Sequence, residues 1–343
     1  MTNDPLRFHG DQLARPGTLD FAVNIWPTPR PPALQEALTA ALAASQPYPD
    51  PEPATRAIAD RHHRTSQEVL ALNGACEAFW LLARALQPRH AVCIHPCFTE
   101  PDAALRASGI RVEKVMRPTS DWSLQRRAVP DTADLVVLGN PNNPTGTLDR
   151  AEDIAQLARP GRVLVVDESF LELTEHPDET VAERRDLPGL VVVRSTTKLW
   201  GLAGIRAGYC LAAPELVTAL RGHRQPWSVN AMALAALRYC AGDLTTPPRV
   251  AAEVAAARAD LVGQLTGISG LHSWPAAANF VLLRAVGRGR EVVDRLAAAG
   301  VIVRPAHSFP GLDEGHLRVA IRTADDHARL ADGLRTILGQ TYS

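Results

Sequence analysis

The chain has 343 residues, enough for roughly two domains and a sizeable core. Its 36 basic and 37 acidic residues leave a formal net charge of −1, so no basic excess exists to track a nucleic-acid backbone. No apolar run approaches the ~20 residues that span a bilayer. The opening MTNDPLRFHG lacks a basic segment leading into an apolar one, so no membrane partner is expected and the cytoplasm is the expected location.

In chain order, residues 1–32 are rich in proline and polar residues and read as an extended arm, followed by a helix over 33–44 and a proline-rich connection, PYPDPEP, at 47–53. Short apolar runs then read as buried strands: AVCIH at 91–95, LVVLG at 135–139, VLVVD at 163–167, LVVVRS at 190–195 and GYCLA at 208–212. Helical patterns fall between them, notably at 74–86 and 149–158. A helical stretch from 231 to 266 leads to strand-like ANFVLLR (278–284), a helix at 290–299, VIVRP (301–305), HLRVAIR (316–322) and a final helix. This alternation predicts an α/β fold, a mainly parallel sheet between helices, with a smaller α+β domain after it. The expected boundaries are an arm over 1–32 that joins the small domain, a large domain over 33–230 and a small one over 231–343.

Five cysteines, at 76, 93, 97, 210 and 240, make an odd count that does not suit a disulfide framework. Cys93, His95 and Cys97 would share one face of a strand, but no fourth ligand is paired nearby, so packing is the preferred reading and no metal is expected. Of the 36 basic residues only Lys114 and Lys198 are lysines. Arginine stays protonated, whereas lysine can lose its proton and act as a nucleophile, so an amine-dependent reaction has two candidates.

Ligands of parallel sheets sit beyond the carboxyl ends of the strands. The run ending at 139 is followed by Asn140-Pro141-Asn142-Asn143-Pro144-Thr145-Gly146, the next ends on Asp167, and the third leads through Ser195 to Lys198 and Arg206. An amide, a carboxylate and a lysine thus reach one crevice. A lysine among cations loses its proton more readily and can form an imine with a carbonyl cofactor. An aspartate facing it can hold a protonated ring nitrogen. These are the protein groups that pyridoxal 5'-phosphate requires.

NPNNPTG at 140–146, DES at 167–169 and STTKLWGLAGIRAG at 195–208 resemble the class I/II aminotransferases of pyridoxal phosphate fold type I, and the resemblance extends over nearly the whole chain. Within that superfamily it is similar to histidinol-phosphate aminotransferases and to the threonine-phosphate decarboxylases of cobalamin biosynthesis. The resemblance implies that Lys198 forms the imine and shuttles protons, that Asp167 pairs with the pyridinium nitrogen, and that Asn143 bonds the phenolic oxygen. It implies that Ser195, Arg206 and the backbone of Gly74, Ala75 and Cys76 bind the cofactor phosphate, with Phe98 stacked on the ring. Tyr48 in PYPD matches a tyrosine that reaches the phosphate of the neighbouring subunit, implying a homodimer.

For the substrate, the resemblance implies that Arg318 forks a carboxylate and Arg304 meets a phosphate. Arg322 and Asn24 are expected to join them in binding the substrate, and Arg322, Phe170, His9-Gly10 and the LDFAVNI segment (19–25) look more like the decarboxylase branch. Four positions depart from the family pattern: Phe170 replaces a tyrosine, Asp11 a glycine, Trp26 an asparagine and Pro305 an aspartate. The expected activity is transamination of a small, phosphorylated amino acid or amine. The alternative is decarboxylation of L-threonine O-3-phosphate, and a non-catalytic cofactor-binding protein is the weakest of the three.

Overall fold

The computed structural model describes residues 5–13, 15–27 and 29–339. The chain runs through β1 (Leu19–Asp20), α1 (Pro32–Ala43), α2 (Glu52–Arg61), β2 (Val69–Asn73), α3 (Glu77–Leu86), β3 (Ala91–His95), α4 (Glu100–Ala107) and β4 (Val112–Met116). It continues through β5 (Leu135–Gly139), α5 (Ala151–Ala155), β6 (Val163–Asp167), β7 (Leu190–Ser195), β8 (Ala207–Ala212), α6 (Pro214–Gly222), α7 (Ala231–Gly242) and α8 (Thr246–Leu265). The last part holds β9 (Leu271–Ser273), β10 (Phe280–Ala285), α9 (Gly289–Ala298), β11 (Val301–Ile302), β12 (Arg304–Pro305), β13 (His316–Ala320) and α10 (Ala324–Leu338).

Seven strands form one sheet in the order β2-β8-β7-β6-β5-β3-β4. Strands β3 to β7 pair in parallel, whereas β8 runs antiparallel to both β7 and β2. The central strands are continuous apolar runs because both faces are covered: Val136, Leu164, Val166, Val191 and Val192 are all fully buried. Each such side chain contributes about 1.5–3 kcal/mol of gross burial free energy. The second sheet, β12-β13-β10-β9, is antiparallel, and β1 pairs in parallel with β11. Residues 19–20 therefore join the last third of the chain.

Several boundaries differ from the sequence pattern, each for a local reason. The helical stretch at 231–266 is two helices, because Asp243 leaves helical geometry and its carboxylate accepts from the backbone N–H of Thr245 and Thr246. The helix expected over 74–86 begins at Glu77, since Gly74 has φ +77° and the chain turns there. That expected over 149–158 is one short helix, Ala151–Ala155. Strands β2 and β4 were not evident in the pattern; β4 lies at the sheet edge and buries only Val112 and Val115 of its five residues. No helix among the described residues is long and apolar enough to cross a membrane.

Candidate active site

Three adjacent parallel strands, β5, β6 and β7, end side by side, with Gly139 opposite Asp167 and Asp167 opposite Val193. The loop after β5 is held by its own asparagines. Asn140 bonds the carbonyl of Asp149 and accepts its N–H, and Asn142 donates to Pro96 O and Thr145 Oγ1, each at 2.8 Å. Both are fully buried, so only Asn143 of the three is turned toward the crevice, where its Oδ1 accepts from Arg318 at 2.5 Å.

At the end of β6 the strand alternation separates two acids. Glu168 turns away, bonded to Arg194 at 2.7 Å and to the Val181 N–H. Asp167 turns in and is fixed by Ser169, whose N–H and hydroxyl both donate to Oδ1. Burial raises the Asp167 carboxyl above its ordinary value, opposed by Ser169 and by the charge of Lys198. Sequence reasoning missed Ser169 as a positioning residue, although it stands two residues after the aspartate in the same motif.

Lys198 lies beyond β7, with its Nζ 5.9 Å from the Phe170 ring centroid. Burial, then the charges of Arg318 and Arg206, lower its amine to about 8 against the opposing charge of Asp167. A buried amine with that proton affinity is available as a nucleophile near neutrality. Lys114 sits elsewhere, on β4 beside Asp102.

The antiparallel course of β8 brings Arg206 to the same edge. Asn73 pairs with Ala207 and Ser195 with Gly208, so the end of β2, the end of β7 and the start of β8 coincide. Two glycines permit this: a Cβ on Gly74 would lie 2.4 Å from Arg206 Nη2, and one on Gly208 would lie 2.4 Å from the Ala75 nitrogen. Ser195 Oγ bonds Thr197 Oγ1 at 2.7 Å within this cradle. A small cavity beside it is lined by Cys97, Phe98, Asn143, Asp167 and Phe170.

The other side of the crevice is built from the distant ends of the chain. Arg304 and Arg318 are direct partners across the β12–β13 ladder. Like charges opposed on one face repel unless an anion lies between them. Arg318 donates to Asn143 and to the Ala22 carbonyl, and its Nε–H is buried without a partner. Arg304 is stacked against Phe8 and Phe309 and donates to Phe8 O, Ser308 Oγ and Pro305 O. Asn24 is buried and neither end of its side-chain amide has a partner.

The Arg322 guanidinium donates to the carbonyls of Asp20, Val23, Ile25 and Ile321 and so fastens the 19–25 segment beside the end of β13. Tyr48 is not brought to this chain's own site: it is 74% exposed and stacks at 4.2 Å on Trp227, itself 60% exposed. The Cys93–His95–Cys97 face is a packed network in which His95 faces Asp102 at 3.3 Å and Cys97 at 3.6 Å. Among the described residues no group of three or more potential ligands is arranged for a metal ion. A further unforeseen residue is Glu100, which accepts from His9, Trp80 and Cys76 and ties the first residues to the cradle.

A seven-stranded, mainly parallel sheet with a lysine, an aspartate and an arginine meeting at one edge is the architecture of a fold type I aminotransferase. Residues 16–334 match the profile of "Aminotransferase class I and II", and the chain belongs to that family. It is 40% identical over 326 residues to a histidinol-phosphate aminotransferase of Mycobacterium tuberculosis, covering 92% of this chain and 87% of the relative. It is 31% identical over 331 residues to the threonine-phosphate decarboxylase of Salmonella typhimurium, covering 93% and 91%. The solved histidinol-phosphate aminotransferase of Sinorhizobium meliloti in complex with pyridoxal-5'-phosphate superposes with a TM-score of 0.84 at 23% identity, covering 96% of this chain and 93% of that one.

Proposed function

We propose that the chain is a pyridoxal phosphate-dependent aminotransferase of histidinol-phosphate aminotransferase type, acting as a homodimer on a small phosphorylated amine. The observation that carries this is the buried Lys198 amine, lowered to about 8 among Arg318, Arg206 and Asp167 at one sheet edge. The residues fit the cofactor. Arg206, Ser195 and the Gly74–Cys76 backbone form a cradle, too tight for a side chain at Gly74, that suits a phosphate. Asp167, held by Ser169, would keep the proton on the cofactor's ring nitrogen, the Asn143 amide would hydrogen-bond its phenolic oxygen, and Phe98, which lines the adjoining cavity, would pack on its ring. When bound, the cofactor supplies an electron sink for bond cleavage at the substrate α-carbon.

The protein's own steps follow from position. Lys198 takes the α-proton and returns it on the other side of the exchange, a general acid–base task suited to an amine near neutral proton affinity. Arg318 uses its free Nε–H to orient a substrate anion while Asn143 and Ala22 hold its other nitrogens. Arg304 meets the substrate phosphate by exchanging the Phe8 carbonyl for a phosphate oxygen. The unused amide of Asn24 supports a polar contact on the arm side. The exposed Tyr48–Trp227 stack supports an interface with a second copy, through which Tyr48 reaches the partner's phosphate.

A second reading, decarboxylation of L-threonine O-3-phosphate, is favoured by Phe170, which offers no hydroxyl beside Lys198, and by the Salmonella relative. One experiment separates the two. The holoenzyme is mixed with histidinol phosphate or L-threonine O-3-phosphate, without a keto acid, and the visible cofactor band and CO₂ are followed. Lasting loss of the band with histidinol phosphate is the expected result. Sustained CO₂ release with the band retained would establish the decarboxylase. No response to either compound would overturn the phosphorylated substrate.

A further inference from the structure

The charges at the mouth of the site do not balance in the way a pure anion pocket requires. Arg304 and Arg318 face one another across β12 and β13, and Asp20 lies close enough to influence Arg318 and Arg322. The Asp20 carboxylate, however, is committed to the N–H groups of Ala22 and Val23 at 2.7 and 3.1 Å. Asp11 is different. It is exposed on the short turn Gly10–Gln12, and among the described residues its carboxylate has no hydrogen bond and no ion pair.

Its position is set on three sides. Gly10 packs so tightly on Ala22 that a Cβ would lie 2.5 Å from the Ala22 carbonyl oxygen. That oxygen is the acceptor of Arg318 Nη2 at 2.8 Å. Two residues earlier the Phe8 carbonyl accepts from Arg304 at 2.6 Å, and His9 bonds Glu100 at 2.7 Å. Asp11 follows directly on this fastened backbone, and its charge is felt by Arg304 and by Lys198, although no ion pair joins it to either.

We propose that Asp11 is a specificity-determining residue: its carboxylate accepts an N–H, neutral or cationic, from the substrate's side chain beside the phosphate held at Arg304. This deepens the function proposed above and rests on it for the choice of substrates. An uncompensated carboxylate close to Arg304 repels a phosphate dianion. A substrate that brings a basic nitrogen, as the imidazole of histidinol phosphate does, relieves that repulsion and gains a charge-assisted hydrogen bond. L-threonine O-3-phosphate brings only a methyl group and feels the repulsion alone.

The test uses the holoenzyme and its D11N and D11G variants with three probes: histidinol phosphate, L-threonine O-3-phosphate and inorganic phosphate. Asn keeps the size and removes the charge, and Gly removes both. The expected result is opposite in sign for the two substrates. In D11N, KM for histidinol phosphate rises about five- to tenfold, and the dissociation constant of L-threonine O-3-phosphate, read from the cofactor band, falls about three- to tenfold. Inorganic phosphate binds more tightly by a similar factor. Shifts of the same sign for both substrates, as a loosened arm would produce, would overturn the proposal, as would unchanged phosphate affinity. If the wild type acts on neither substrate but phosphate tightens in D11N, the proposed function fails while the field of Asp11 on the anion pocket stands.

Discussion

The two halves of the site are built by different means. The cofactor cradle comes from contiguous motifs at neighbouring strand ends, each rigid because the strand behind it is fully buried: β6 and β7 carry Asp167 and Ser195 on backbones hydrogen-bonded along both edges. The substrate mouth comes from residues roughly as far apart as the chain allows. Residues 5–13 and 15–25 are fastened to the C-terminal sheet and to α4 by side chains donating to backbone carbonyls: Arg322 to Asp20, Val23 and Ile25, Arg318 to Ala22, Arg304 to Phe8, and Thr99 to Leu6. In the function proposed above, chemistry shared by all substrates falls to the first half and discrimination to the second. A cradle on parallel strand ends tolerates little movement, whereas a strap held by a few donors can be re-aimed by exchanging them.

The largest expected effect tests the cradle. Lys198→Ala lowers kcat by more than about 10³-fold in a steady-state assay, while Lys114→Ala stays within about twofold, since Lys114 faces Asp102 on an edge strand. Full turnover by Lys198→Ala would remove the catalytic assignment.

Next comes the strap. Arg322→Ala removes a donor from four backbone carbonyls and is expected to destabilise the fold by about 2–4 kcal/mol in urea unfolding, with KM rising because the 19–25 segment loosens. A variant of unchanged stability with lowered kcat alone would assign Arg322 to the substrate. The third prediction concerns pH. The Lys198 amine is lowered to about 8 from 10.5, so its neutral form grows as pH rises toward 8 and is the major form above it. Loading of apo-protein with pyridoxal phosphate should speed up about tenfold per pH unit below 8 and level off above. A rate still climbing tenfold per unit beyond pH 9 would mean that the amine is not so perturbed.

The smallest effect concerns the tie between the halves. Glu100→Gln keeps the shape but weakens the bonds from His9, Trp80 and Cys76, and should raise KM about threefold with the cofactor affinity nearly unchanged. A larger loss of cofactor affinity than of substrate affinity would place Glu100 with the cradle.

Sequence alone determined what is local. Apolar runs bounded by polar loops identify β3, β5, β6 and β7, and the residues immediately after them, Asn143, Asp167 and Lys198, follow because covalent spacing puts a strand's next residues at its end. What depends on strand direction and on contacts between distant residues was out of reach. Nothing in GYCLA says that β8 runs backward, yet that reversal delivers Arg206 to Gly74 at the far side of the sheet. Nor does HLRVAIR distinguish Arg318, which keeps a free Nε–H at the site, from Arg322, which fastens the 19–25 segment. Both are arginines of one motif, four residues apart; only the packing of a segment some 300 residues away decides which one has donors left.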